Sequence, residues 1–184
     1  TSSPITAPFT RANTIWRYKQ QVFAGGTSNG GTIVEWCSVD DTSDWTPTLL
    51  NTASNLQLRD LEGDIVAARP ISNVIGVYSK SNAGIFSVGS GSAQYSFRAG
   101  VSGVGAISPY SVVDTSNSHY GLLVDKAFVT DLVSFKYIDE PAVRDYLTAN
   151  ADWDRLQEVY GWEDKYNSMV RWSVPKLGAG TFGL

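Results

Sequence analysis

Short apolar runs, each closed by Gly, Ser or Asn, dominate the middle of the chain. They lie at 60–67, 73–80, 84–88, 95–98 and 105–113. Runs of four to eight residues bounded by turn formers are typical of β-strands, and several in close succession predict an antiparallel meander. We therefore expect one four-stranded meander between positions 60 and 113, around which the rest of the chain is organised.

The same kind of unit recurs before and after this stretch. Comparable strands are predicted to start near Ile15, Ile65, Val112 and Leu156, at intervals within the ~40–50-residue period of propeller blades. The pattern predicts an all-β fold: a β-propeller, or a propeller arc, of four-stranded antiparallel blades. An open arc leaves exposed edges, which other segments or other subunits would have to complete.

The predicted domain plan has three parts. An extended, Pro-containing arm covers residues 1–11, a propeller-like β domain of about four blade units covers 12–176, and a Gly-rich tail covers 177–184. Because the chain starts at Thr1 without Met, we expect it to be a segment of a longer protein.

Within this plan the individual strands are predicted from local patterns. Residues 14–23 are predicted as one strand, and the Gly-rich segment 25–31 as a loop too long for a two-residue hairpin. Further strands are predicted at 32–38, 119–124, 127–129, 132–135, 156–162 and 169–175, the last two forming a hairpin.

One helix is predicted, near 140–148. Asp139 can cap it and Pro141 falls in its first turn, where proline is tolerated. Val143, Tyr146 and Leu147 share one face, which predicts that this face packs against the protein.

Composition and charge exclude several classes of protein. Hydrophobic residues make up 42% of the chain and charged residues 17%, as in a folded protein. The net charge of −4 argues against specific binding of a phosphate backbone, which needs clustered Lys and Arg. No apolar run reaches the ~18–20 residues of a membrane span, so no membrane partner is expected.

The side chains that usually carry chemistry are scarce. His119 and Cys37 are the one histidine and the one cysteine, so no intrachain disulfide can form and the usual zinc ligand set is missing. A catalytic triad or a Cys-His site would need His119, for which we predict a structural role instead. We predict no catalytic residues, no cofactor and no metal site.

The acidic residues have two possible interpretations. Asp40, Asp41 and Asp44 could bind calcium, but the spacing of a calcium loop is absent, so turn capping is favoured. Glu62 and Asp64 could form a glycosidase pair, but they flank Gly63 and indicate a turn. The Gly-rich segment 100–106 lacks the Gly-Lys-Ser/Thr ending of a phosphate loop and is rejected.

Residues 38–45 resemble the Asp box of sialidase-type propellers, Ser-x-Asp-x-Gly-x-x-Trp, with Thr42 where that family has Gly. The resemblance implies a structural turn built by Ser38 and Asp40, with Trp45 packed between blades. It also motivates an alternative function, a carbohydrate-binding or sialidase-like propeller.

A longer set of motifs resembles the propeller segment of phage tail structural proteins, in particular the nozzle or tail-tube proteins of short-tailed phages. These motifs are Trp16-Arg17, 21–26, 34–38, Asp44-Trp45, 62–67 with Pro70, 77–80, 108–113, His119-Tyr120 and 170–175. Where that family usually has an aspartate-glycine pair, this chain has Asp125-Lys126.

This resemblance implies a non-enzymatic component of a virion tail, made in the host cytoplasm. It would form a ring of identical copies around the DNA exit channel, next to other tail or portal-proximal proteins, with DNA passing through without specific binding. Trp153, Trp162 and Trp172 are then candidate subunit-interface residues, since Trp is enriched at interfaces. A generic propeller scaffold for protein partners is a further alternative.

Overall fold

The computed structural model describes residues 7–39, 41–90, 94–138 and 140–178. It is mostly β, with one α-helix and one 3-10 helix among these residues. The strands are β1 Ala12–Tyr18, β2 Gln21–Thr27, β3 Gly30–Trp36, β4 Ser54–Gln57, β5 Ala67–Ile71, β6 Val74–Tyr78, β7 Asn82–Val88, β8 Tyr95–Ser102, β9 Val112–Asp114, β10 His119–Leu122, β11 Ala127–Thr130, β12 Phe135–Ile138, β13 Tyr160–Asp164 and β14 Met169–Ser173.

These strands form four antiparallel sheets that do not close into a barrel. Sheet A contains β1–β4, sheet B β5–β8 and sheet C β9–β12, each paired in chain order, and hairpin D contains β13 and β14. The predicted four-stranded antiparallel meander is confirmed as sheet B, but it spans 67–102: residues 60–66 precede β5 outside any strand, and 112–113 belong to sheet C. The unit starts expected near Ile15, Ile65, Val112 and Leu156 correspond to sheets that begin at Ala12, Ala67, Val112 and Tyr160, and Leu156 itself lies in the 3-10 helix before β13.

Sheet A differs from its prediction, because the segment predicted as one strand, 14–23, contains parts of two strands, β1 and β2. The segment 14–23 turns back at Lys19-Gln20, where Lys19 adopts a left-handed φ of 55°, so that Tyr18 pairs with Gln21. The expected loop 25–31 belongs largely to β2 and β3, which are joined through Ser28-Asn29. Position 25, within β2, accommodates a glycine and no larger residue, because a Cβ there would sit 2.9 Å from the Trp16 ring.

The predictions for the third unit and the helix also need correction. Residues 131–134 form a tight turn around the buried Leu132, and the strand follows at Phe135–Ile138. The helix α1 spans Pro141–Asn150 without a side-chain cap and has no fully buried residue. On its predicted inward face Val143 and Tyr146 are exposed and Leu147 is partly buried. Asp139, the predicted cap, lies outside the described residues.

Sheets A and B pack through aromatic side chains. Phe23 lies at the centre, with its ring 5.0 Å from Tyr95 and 5.5 Å from Phe86. Trp36 also contacts Tyr95, at 5.0 Å between ring centroids. Such edge-to-face pairs are favoured by the ring quadrupoles, and the cluster buries a large apolar area.

Sheets B and C pack through smaller side chains and one polar pair. Their apolar cluster includes Ile71, Ile85 and Phe128. His119 is fully buried beside Gly76, where a Cβ would come within 2.9 Å of the imidazole ring. The alternation of apolar residues along each strand thus builds two stacked cores, one on each side of sheet B.

The first strands of the sheets lie next to each other: β1 contacts β5, β5 contacts β9, and β9 contacts β13. A parallel bridge between Tyr110, just before β9, and Tyr160 fixes the relative direction of the last two units. No helix within the described residues is long and apolar enough to cross a membrane.

Candidate assembly surface

The clearest candidate surface lies at the C-terminal end of this series, on the side of hairpin D that faces away from sheet C. Strand alternation places Gly161 and Trp172 toward sheet C, where Gly161 approaches Val113. Tyr160 and Trp162 lie on the opposite side and are 51% and 40% exposed. Hairpin D therefore has one covered face and one bare face.

The bare face continues an aromatic row toward sheet C. The rings of Tyr110 and Tyr160 are 5.4 Å apart, and those of Tyr160 and Trp162 are 6.3 Å apart. All three side chains are substantially exposed. A solvent-exposed row of this kind marks an interaction surface more often than isolated exposed apolar residues do.

Arg69 anchors one end of this row. Its guanidinium donates hydrogen bonds to the carbonyl oxygens of Ala68, Val112 and Pro109, and it lies 5.6 Å from the centre of the Tyr110 ring. Burial lowers the pKa of Arg69, while Asp114 partly offsets this effect. Because the carbonyls hold the side chain in place, Arg69 fixes the junction between β5 and β9 instead of reaching into solvent.

The opposite end of the series, at sheet A, is partly covered by the chain itself. Trp45 packs against Phe9 in an edge-to-face contact of 5.3 Å and shares a small cluster with Ala24 and Cys37. This cluster covers β2, Cys37 just after β3, and Ala12 at the start of β1. On β1, by contrast, Ile15 is 65% exposed and Arg17 is also exposed.

The segment that resembles an Asp box, residues 38–45, forms a hydrogen-bonded turn that ends at Trp45. The Ser38 amide donates to the carbonyl of Asp44 at 2.8 Å, and the Asp41 carboxylate accepts from the amide and hydroxyl of Ser43. These hydrogen bonds lower the pKa of Asp41. Trp45 is buried and donates from Nε1 to the Thr42 carbonyl, whereas Asp40 lies outside the described residues.

The three candidate interface tryptophans have different environments. Trp162 is on the bare face of hairpin D, as an interface role requires. Trp172 points the other way and donates from Nε1 to the Ser111 carbonyl at 2.9 Å, which joins hairpin D to sheet C. Trp153 is half-buried in the 3-10 helix Trp153–Glu158.

Sequence reasoning missed Ile15, Tyr110 and Tyr160 as surface residues. For Ile15 a signal was present, because the alternation through Trp16 and Tyr18 puts Ile15 on the other side of β1 from these core residues. For Tyr160 the signal was also present, because it alternates with Trp162 within the predicted strand 156–162.

The residues considered for catalysis or metal binding do not converge. His119 and Cys37 are both fully buried, in different clusters. Glu62 and Asp64 are exposed in the loop before β5, around Gly63 with its left-handed φ of 86°. Among the described residues, no group of three or more His, Cys, Asp or Glu is arranged to hold a metal ion.

The surroundings of His119 fit the structural role predicted for it. Its Nε2 lies 2.8 Å from the Pro70 carbonyl, which can only accept, so Nε2 carries the proton and Nδ1 accepts from the Tyr78 hydroxyl at 2.8 Å. Burial lowers the pKa of His119 and raises that of Tyr78. Both ring nitrogens are thus used within the fold.

A groove of about 530 Å³ lies between β14 and the outer part of sheet C. Tyr120 and Ile138 line its sheet C side, while Met169 and Val170 line its hairpin side. Sheets A, B and C have four strands and hairpin D has two, so the groove occurs where the outer strands of a fourth complete sheet would lie.

Neither a scan against protein-family models nor a search of curated proteins found a match for this chain.

Proposed function

We propose that the chain forms an arc of a β-propeller and serves as a non-enzymatic structural component of a phage virion tail. The observation that carries this proposal is the set of neighbouring first strands, β1, β5, β9 and β13, each of which begins its own antiparallel sheet. In propellers, four-stranded sheets are arranged radially with their first strands around a central channel. In an incomplete ring the last sheet has no neighbour on one side, and the bare face of hairpin D is such a side.

An architectural role is supported by where the reactive side chains lie. The histidine and the cysteine are buried and hydrogen-bonded or packed within the fold, and the Asp-box-like turn uses its side chains to hold its own backbone. Three exposed aromatic side chains, Tyr110, Tyr160 and Trp162, lie together at the open end. These are suited to packing against another protein surface.

The tail setting rests on the resemblance to nozzle and tail-tube proteins of short-tailed phages. In that setting copies of the chain form a ring around the DNA exit channel in the virion, beside other tail or portal-proximal proteins. The net charge of −4 suits such a wall, because a weakly acidic surface does not retain a polyanion. DNA would then pass without specific binding.

The test uses virions of the phage whose genome encodes the chain. Purified particles are analysed by mass spectrometry and labelled with a gold-conjugated antibody against the chain, with a major capsid protein as the matched positive control. We expect the chain in the particles and label at the tail. Absence of the chain from purified virions would overturn the proposal.

A carbohydrate-binding propeller is the second candidate, favoured by the exposed row of Tyr110, Tyr160 and Trp162, since aromatic rings stack on sugar faces. The buried Trp45 of the Asp-box-like turn cannot serve this purpose. A glycan array separates the two functions, with Trp162→Ser as control. Binding that is lost in the variant would favour this candidate, and a blank array would remove it.

A further inference from the structure

One cavity, of about 510 Å³, is lined by parts of all four units of the chain. It lies where the segments that lead into the four first strands meet. Its wall includes residues 11–13 at the start of β1, Val66 just before β5, 107–109 before β9, and Asp154, Leu156 and Gln157 in the 3-10 helix before β13. Lys80, in the turn between β6 and β7, completes this wall, and we call the space the shared cavity.

Hydrogen bonds between units hold the wall of the shared cavity in place. Asn13 donates from Nδ2 to the Ile65 carbonyl at 2.9 Å, which joins β1 to the segment before β5. The Ser108 hydroxyl donates to the Val159 carbonyl at 2.8 Å, which joins the segment before β9 to the residue that follows the 3-10 helix. Since the wall is preformed, a ligand would not have to order it on binding.

Three charged side chains line the shared cavity without being paired to one another. Arg11, Lys80 and Asp154 are all exposed, and among the described residues none of the three side chains takes part in an ion pair. The lining thus has two cations against one carboxylate, although the whole chain has a net charge of −4. A locally positive wall attracts an anion.

The rest of the wall combines apolar surface with uncharged polar groups. Ile107, Pro109 and Leu156 are partly buried, and the Gln157 amide is exposed. Cavities of about 300–1,000 Å³ with apolar walls and a few convergent polar groups are typical sites for small molecules. The shared cavity has both the size and the composition of such a site.

We propose that the shared cavity binds a small hydroxylated carboxylate, of the size of an acidic sugar. The Arg11 guanidinium matches a carboxylate in shape, and Lys80 supplies a second positive charge. The Asp154 carboxylate and the Gln157 amide oxygen accept hydrogen bonds from ligand hydroxyls. The apolar residues pack against the carbon atoms of the ligand ring.

The same lining disfavours a long polyanion. A nucleic acid backbone needs many cations in a row, whereas the shared cavity has two and places Asp154 beside them. The inference does not depend on the proposed function, because it concerns a small molecule that binds within a single chain.

The test is isothermal titration calorimetry of the wild-type chain with three matched ligands: glucuronate, glucose and cyclohexanecarboxylate. Glucose lacks the carboxylate and cyclohexanecarboxylate lacks the hydroxyls. We expect glucuronate to bind at least about tenfold more tightly than either, since each loses hydrogen bonds that involve a charged group. Absence of glucuronate binding, or equal binding of glucuronate and either of the other ligands, would overturn the inference.

Two variants locate the binding to the shared cavity. Arg11→Gln and Lys80→Gln should each raise the Kd for glucuronate about tenfold, because each removes one charge that faces the carboxylate. Arg98→Gln, at an exposed position on β8 outside the cavity wall, is the matched control and leaves the Kd unchanged. A Kd that neither cavity variant alters would overturn the inference. Urea midpoints equal to that of the wild type verify that the variants are folded, and the comparison of the three ligands needs no variant.

Discussion

Two of the interfaces between neighbouring sheets, A with B and B with C, are built from different chemistry. Sheets A and B are joined by stacked and edge-to-face rings around Phe23, while sheets B and C are joined by smaller apolar residues and the buried pair of His119 and Tyr78. Apolar burial is indifferent to protonation, whereas a buried imidazole is tolerated only while both nitrogens have partners. The difference teaches that one sheet can pack on one side through an aromatic cluster with uncharged hydrogen bonds and on the other through a contact that depends on the protonation of a buried imidazole.

The largest effect is expected in the aromatic interface. Phe23→Ala removes a fully buried ring that contacts Trp16, Trp36 and Tyr95, and should lower the free energy of unfolding by about 3–5 kcal/mol. Denaturant unfolding followed by fluorescence measures it. Phe135→Ala is the matched control, because this ring is 39% exposed and should cost much less. Equal losses in both variants would contradict the central role of the aromatic cluster.

The polar interface is tested by removing one hydroxyl. Tyr78→Phe leaves His119 Nδ1 without its donor in a fully buried site, and should cost about 1–3 kcal/mol of unfolding free energy. Urea unfolding at neutral pH gives this value. A variant as stable as the wild type would mean that the imidazole finds another partner and that the pair does not hold sheets B and C together.

The pH dependence distinguishes the two interfaces directly. Burial lowers the pKa of His119 below its ordinary 6.5, so the folded protein keeps the ring neutral while the unfolded chain takes up a proton as pH falls below that value. The stability that depends on a neutral His119 is therefore fully present above the unfolded-state pKa. It is lost as the pH drops toward the folded-state pKa. The slope cannot exceed about 1.4 kcal/mol per pH unit for one proton.

Unfolding free energies between pH 7 and pH 5 measure this slope. His119→Gln is the control, because its amide can donate to the Pro70 carbonyl and accept from Tyr78 without titrating. Carboxylates with lowered pKa, such as Asp41 and Asp131, lose their contribution only below their ordinary value of 3.8, outside this window. A slope that persists in the variant would assign the effect to another group.

Much of the strand content could be predicted from local patterns, because each apolar run ends in a strong turn former. The runs predicted at 73–80 and 169–175 correspond to β6 and β14, whereas the strand predicted at 156–162 starts only at Tyr160, after a 3-10 helix. The turn at Lys19-Gln20 could not be predicted, since neither residue is a usual former of a left-handed turn and the tertiary pairing of Trp16 with Phe23 imposes it. The remaining strand bounds depend on contacts between sheets, which local patterns do not show.

The assembly surface was predicted only in part, for a related reason. Trp162 and Trp172 are the same residue type, but they lie on opposite sides of hairpin D. The hydrogen bond from Trp172 to the Ser111 carbonyl and the approach of Gly161 to Val113 reveal which side is covered. Likewise, an exposed isoleucine such as Ile15 looks like a core residue until the neighbouring sheet is placed. Alternation divides a strand into two faces, but it does not say which face has a partner within the same chain.

The smallest change in the free energy of unfolding is expected for Tyr95→Phe, the counterpart of Tyr78→Phe in the interface between sheets A and B. Tyr95 donates to Gln21 Oε1, which also accepts from the Gln94 side chain at 3.0 Å. Tyr95→Phe therefore leaves no acceptor without a donor and keeps the ring contacts with Phe23 and Trp36. The loss should stay below about 1 kcal/mol, less than for Tyr78→Phe. If the two variants were equally unstable under the same urea titration, the contrast between the two interfaces would be wrong, because the hydroxyl of Tyr95 would then matter as much as that of Tyr78.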